Sequence, residues 1–248
     1  MPDNPVRVLV WDEAPVHAPK SVYPKSINGA IADGLNALGG GSIVATYANL
    51  DDPDQGITDE ILAGIDVILW WGHARHEEVT DETAAKVINA VQNGLGFIPL
   101  HSAHYSKVFK GVLNCSGDLK GGWRETTPPD TEEITVCAPK HPIAQGVADF
   151  VLPQEEMYGT PFGIPPVLTV VFQSYFPLGG EYFPNFTATV GEGIDPDFTS
   201  GPGGGKGQGE GKGRVFYFRP GHEAFPTYFN SSVQQILHNA VLWAARRG

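Results

Sequence analysis

Four short apolar runs constrain the fold of this chain most: Val6–Val10, Val67–Trp71, Phe97–Leu100 and Val215–Phe218. They show little of the apolar–polar alternation of a half-solvated strand, so each predicts a strand buried on both faces. Apolar residues at helical spacing run from Ile27 to Leu38 and stop at Gly39-Gly40-Gly41. A second such stripe, Ala84 to Val91, follows Thr80 as a helix cap. Ser42–Tyr47 adds a strand and Thr58–Ala63 a short helix with acidic residues in its first turn. Strand and helix therefore alternate through the first hundred residues, which predicts an α/β protein with a doubly wound, mostly parallel sheet and helices on both faces.

The second half has a looser rhythm. Glu132–Cys137 and Val167–Phe172 are β-branched strands with little helix between them, and prolines punctuate the region. These features predict antiparallel additions and long loops in the second half. Residues 201–213 hold eight glycines and predict a flexible insertion. That stretch is not a phosphate loop, because Gly211-Lys212 lacks both a glycine five residues earlier and a following Ser or Thr. The chain closes with a helix expected from Ser231 to Arg246. No break in composition divides it, so residues 1–248 are expected to form a single domain.

A net charge of −12 argues against a nucleic-acid partner, which would need a basic face. No apolar run approaches membrane-spanning length, and Met1-Pro-Asp-Asn-Pro lacks the layout of a signal peptide, so no membrane role is expected. The two cysteines, Cys115 and Cys137, leave a single disulfide open, and a reduced, cytoplasmic protein is the simpler reading.

Candidate functional residues gather where buried strands end, as reactive groups do in open α/β sheets. Phe97–Leu100 breaks abruptly into His101-Ser-Ala-His104-Tyr105, and a sharp turn at such a place lifts one side chain clear of the backbone. The residue so placed is His101. His104, three residues on, would share its helical face. Val215–Phe218 delivers His222 in the same way, and Glu156 supplies a carboxylate. His101, His104, His222 and Glu156 are thus the candidate catalytic set. His101, His104 and His222 also suit a divalent ion such as zinc, while a metal-free site would use a histidine as base and Glu156 or Glu181 as acid. Trp71, His73, Tyr105, Tyr158 and Glu181 are candidate substrate-binding residues, the aromatic ones as flat stacking faces. The competing reading is structural: a histidine after a strand can cap a helix, and aromatic residues are more often core. His76 is expected in a solvated loop, His17 and His238 on the surface or a helix face, and His141, before Pro142, in a structural turn.

Five ordered motifs carry a family resemblance: Trp71-Gly-His73, His101-Ser-Ala-His104, His141-Pro-Ile-Ala-Gln-Gly146, Glu156-Met-Tyr158 and Gly213-Arg-Val-Phe-Tyr-Phe-Arg-Pro-Gly-His222. Together they resemble the ThuA-like, trehalose-utilisation family from about Val6 to Ala245. The resemblance implies a flavodoxin-like sheet similar to class I glutamine amidotransferases and a place in bacterial sugar utilisation. The partner it implies is a small sugar, and a homo-oligomer is left open. Residues 201–213 look like an insertion, and the family's serine-glycine-cysteine neighbourhood after Gly180-Glu181 is absent. An amidotransferase needs a thiolate at the elbow and a His with a carboxylate after a late strand; His222-Glu223 keeps the second, but His101 stands at the elbow, so glutamine hydrolysis is not expected. The expected function is an enzyme acting on a disaccharide or sugar derivative of the trehalose type. The alternatives are a non-catalytic sugar-binding or regulatory module and a hydrolase using Ser102 or Cys115.

Overall fold

The structure is a computed structural model and describes residues 4–159, 161–164, 169–178, 186–194 and 213–247. Glu181 and all of the glycine-rich stretch except Gly213 lie outside the described residues. The first half runs β1 (Val6–Asp12), α1 (Ile27–Gly39), β2 (Ile43–Asn49), α2 (Asp59–Ala63), β3 (Val67–Gly72), α3 (Asp81–Gln92), β4 (Gly96–His101) and α4 (Lys107–Leu113). The second half adds β5 (Trp123–Arg124), β6 (Asp130–Val136), β7 (Phe150–Glu155), β8 (Met157–Tyr158), β9 (Thr169–Tyr175), β10 (Phe186–Ile194), β11 (Val215–Tyr217) and α5 (Ser231–Ala244).

Nine of these strands form one sheet in the order β2-β1-β3-β4-β11-β10-β9-β6-β7. The first five are parallel, and β10, β9, β6 and β7 continue the sheet antiparallel. This is the α/β arrangement expected from the apolar runs, with the antiparallel additions in the second half. The chain winds from β1 outward to β2 and then crosses to β3, which opens a crevice beyond the carboxyl ends at the β1–β3 junction. β5 and β8 form a separate two-stranded ladder in which Trp123 pairs with Tyr158.

Successive residues on the parallel strands enter two different cores. Val8, Val10, Leu69, Trp71, Ile98, Leu100, Phe216 and Phe218 pack on one side with α1 and α5. Leu9, Trp11, Ile68, Trp70, Phe97, Val215 and Tyr217 pack on the other with α3 and α4. Both faces are covered, which explains why these strands lack alternation. Truncating Phe97 or Phe216, each fully buried, to Ala would cost about 3–5 kcal/mol.

The helix starts follow local chemistry. Ser26, Thr80 and Ser106 cap α1, α3 and α4 by accepting from the amides of Gly29, Thr83 and Phe109. Gly40, at φ 52°, ends α1 in the left-handed conformation. Leu38, one step before the glycine run, is 44% exposed rather than part of the buried stripe. At Gly96 a side chain would meet the Cβ of Ala244 at 2.8 Å, so α5 lies directly against the start of β4.

Candidate active site

β4 ends in a backbone conformation that few residues other than glycine adopt. His101 has φ 53° and ψ −125°, so the chain turns sharply and Ser102–Tyr105 forms a 3-10 turn. Neighbouring groups hold it there. The His101 amide donates to the Phe218 carbonyl at 2.9 Å, and the Tyr217 hydroxyl donates to the His101 carbonyl at 2.8 Å. The strained residue is thus clamped by the parallel neighbour β11, whose end also delivers His222.

The turn sends the two histidines of the motif in different directions. The His101 ring stacks on Trp71 with centroids 5.9 Å apart and meets His73 and His222 edge-on at 5.2 and 5.5 Å. His104 instead packs against Tyr105, Phe162 and Tyr217. Its Nδ1 lies 2.7 Å from the Gly117 carbonyl, and burial pushes its imidazole down to about 3. Sharing a helical face required both residues to be helical, and the positive φ of His101 removes that condition. His101, His104 and His222 therefore do not gather around one point as a ligand set.

Around His101 the site is closed and polar. Nε2 lies 3.2 Å from the Tyr158 hydroxyl and 3.6 Å from Oε2 of Glu156, while Nδ1 lies 3.4 Å from the Arg219 carbonyl. Tyr158 also forms a short hydrogen bond with Ser102. Burial, together with His73, His222 and Arg219, holds the His101 imidazole well below its ordinary range, so it is neutral. Burial raises the Glu156 carboxyl to about 7 against the opposing pull of His73 and Tyr158. A neutral imidazole thus faces a carboxyl poised near neutrality, an acceptor and a donor side by side.

A second group lies at the mouth. Glu223 is buried, with Oε1 2.7 Å from Nε2 of His17 and Oε2 2.7 Å from Nδ1 of His73. Burial disfavours its charge, but the hydrogen bond from His73 and the nearby imidazoles outweigh this and hold its carboxyl below the usual range. The His73 imidazole, also opposed by burial, is correspondingly raised by Glu223. Gly221, at φ 128°, sets the turn that brings His222 and Glu223 inward, and a Cβ there would collide with the Tyr228 ring. His222 Nδ1 accepts from the Ala224 amide, and its Nε2 lies 3.4 Å from Oε1 of Glu125.

Beneath the site lies a buried charge network. Arg219, fully buried, pairs closely with Glu132 and donates to the carbonyl of Glu156. Glu155 accepts from the amides of Glu156 and Gly221 and from the Thr227 hydroxyl. Burial raises its carboxyl to about 8, and Arg219 opposes the shift. The network fixes the backbone on which Glu156 and His222 stand.

Of the other expected substrate contacts, Trp71 has no free face. It is fully buried under His101, and its indole N–H donates to the Gly221 carbonyl at 2.9 Å. Tyr105 lies over His104 and beside His76, and Tyr158 borders His101 and His104 alike. His141 caps the Pro142–Ala144 turn. Both cysteines are free, and burial raises the Cys115 thiol. The residues that sequence reasoning missed are His17, Glu125, Glu132 and Arg219. Glu223 was visible only as the neighbour of His222. A surface cleft of ≈ 420 Å³, lined by residues such as Asp66, Gly94 and Arg246, lies at the amino ends of β3 and β4 and contains none of the histidines. No helix among the described residues is long and apolar enough to cross a membrane.

Comparison with known proteins agrees with the fold. The family model described as ThuA, trehalose utilisation, matches residues 7–244. A protein described as ThuA-like from Parabacteroides merdae ATCC 43184 superposes with a TM-score of 0.66 at 13% identity, covering 98% of this chain and 90% of its own. Another from Bacteroides uniformis ATCC 8492 gives 0.66 at 18% identity, covering 98% and 92%. A glutamine amidotransferase from Thermotoga maritima gives 0.51 at 8% identity, covering 98% and 99%, a likeness of fold alone. No curated protein matches by sequence.

Proposed function

The chain belongs to the ThuA family of trehalose utilisation, and from that premise we propose that it is an enzyme acting on a disaccharide or sugar derivative of the trehalose type. The reaction class is acid–base catalysis by histidine and glutamate, without a cysteine nucleophile. The observation that carries this reading is the pairing of His101 and Glu156: a neutral imidazole on a strained elbow, 3.6 Å from a buried carboxyl raised to about 7.

In this reading His101 Nε2 takes a proton from a sugar group, and protonated Glu156 returns one to an oxygen of the same substrate. Tyr158, bonded to both Ser102 and His101, orients the imidazole. Approach runs past His17, His73, His222 and Glu125, which keep exposed surface. His222 and Glu125 are placed to bond sugar hydroxyls there. No thiol takes part, since the elbow position is occupied by histidine.

The test is to incubate the protein with trehalose and related disaccharides and follow the anomeric signals by proton NMR, with binding read from thermal shift. Turnover by the wild type and its loss in both His101→Ala and Glu156→Gln, with binding retained, is expected. Turnover undiminished in either variant, or stabilisation without turnover for every sugar tried, would remove the catalytic reading.

A further inference from the structure

We infer that the mouth of the site is a binding centre for a zinc-class divalent ion, held by Nε2 of His17, Nδ1 of His73 and the carboxylate of Glu223. These ligand atoms all lie within 4.8 Å of one another. They come from the segments following β1, β3 and β11, so three parallel strands of the sheet converge on one point. In a tetrahedral shell with bonds of about 2.0–2.1 Å, neighbouring ligand atoms sit about 3.3 Å apart. Both Glu223 contacts, at 2.7 Å, are shorter than this, so small side-chain shifts would admit an ion between the carboxylate and the imidazoles.

The donor set selects the ion class. Two imidazoles and one carboxylate suit zinc and its first-row neighbours, whereas calcium and magnesium favour all-oxygen shells. Three protein ligands with an open side are the pattern of a reactive rather than a purely structural zinc. The open side here is that of His17, whose side chain is 45% exposed. His222 belongs outside the ligand set. Its Nδ1 accepts from the Ala224 amide, which leaves the proton on Nε2, facing Glu125.

The charge balance of the crevice points the same way, independently of the ligand geometry. Besides Glu223, which bonds His17 and His73, Glu13 accepts from the amides of Ala74 and Arg75, and Glu125 lies 3.4 Å from His222. The cations near them are already committed: Arg219 to Glu132, and Arg75 to Asp51 and Glu78. A crevice with this surplus of carboxylates attracts a small cation. The His73 ring lies 5.2 Å from the His101 ring, so an ion held there would neighbour the acid–base pair. The inference stands on ligand geometry and charge and does not require the substrate to be a sugar.

The experiment uses the full chain, stripped with a chelator and titrated with zinc alone by calorimetry, and with cobalt to read the coordination spectrum. One ion per chain is expected, with intense visible cobalt bands of a low-coordinate site. Glu223→Gln and His17→Ala should each weaken zinc at least about ten-fold, while His141→Ala should bind as the wild type does. His17 lies on an exposed loop, so His17→Ala tests the site even if Glu223→Gln fails to fold. Binding of less than one ion per chain by the stripped wild type would overturn the inference in favour of a metal-free His17–Glu223–His73 triad. Undiminished zinc binding by His17→Ala would overturn the ligand assignment.

Discussion

Glu156 faces His101 across 3.6 Å, carboxylate oxygen to Nε2, with neither side chain more than about a twentieth exposed. That pairing sets a pH dependence. Glu156 titrates near 7, and the proposed role requires its protonated form. His101 sits well below its ordinary range and stays neutral across the same window. Catalytic efficiency is therefore expected to fall as pH rises through about 7, by roughly ten-fold per pH unit beyond it. A kcat/KM profile on the responsive sugar checks this. A profile that instead rises through 7 would make Glu156 the base.

Arg219 is the residue on which the floor of the site depends. It is buried with Glu132 and acts on Glu155, so its removal strands two carboxylates away from water. Arg219→Met is expected to cost about 3–5 kcal/mol, read from denaturant midpoints. The sign with pH follows from linkage. Burial raises the folded Glu155 carboxyl and Arg219 opposes that shift, so the variant's stability is greatest below the unfolded carboxyl value and is lost as pH rises toward the folded value of Glu155. A variant that loses more stability in acid than at neutral pH would contradict this account of the network.

The parallel half of the sheet was legible because β1, β3, β4 and β11 are buried on both faces and leave continuous apolar runs. The elbow was legible too, since an apolar strand breaking into His101-Ser-Ala-His104 has few other readings. What escaped detection depends on distant chain segments. His73 and Glu223 are 150 residues apart, and His17 lies on a loop with no periodicity to mark it. Arg219 and Glu132 meet only because β11 and β6 belong to the same sheet. The separation of His104 from His101 was hidden for a local reason, since spacing does not encode the sign of φ.

His104 should behave as a stability residue. Its imidazole is held down to about 3 by burial, and its Nδ1–H satisfies the Gly117 carbonyl. His104→Phe would leave that carbonyl unpaired, at a cost of about 1–3 kcal/mol. Wild-type stability should also fall as pH drops from the unfolded histidine value toward 3, because only the unfolded chain takes up this proton. The variant should lack that component. Urea titrations of both proteins across the acid range read the difference. Parallel curves would show that His104 is not the residue responsible.

The elbow itself gives an expectation that runs against ordinary propensity. At most positions glycine is worse than alanine, because the unfolded chain gains freedom. At φ 53° and ψ −125° any Cβ is strained, and only glycine is at ease. Both His101→Gly and His101→Ala remove the same ring from between Trp71, His73 and Tyr158, so the cavity left behind is nearly equal. Their difference isolates the backbone. His101→Gly is expected to be more stable than His101→Ala by about 1–3 kcal/mol, with both inactive toward the sugar. Thermal and denaturant unfolding of the two variants side by side measure this. Equal stability, or an advantage for alanine, would show that the chain does not hold this turn in solution and that His101 is not presented on a strained elbow.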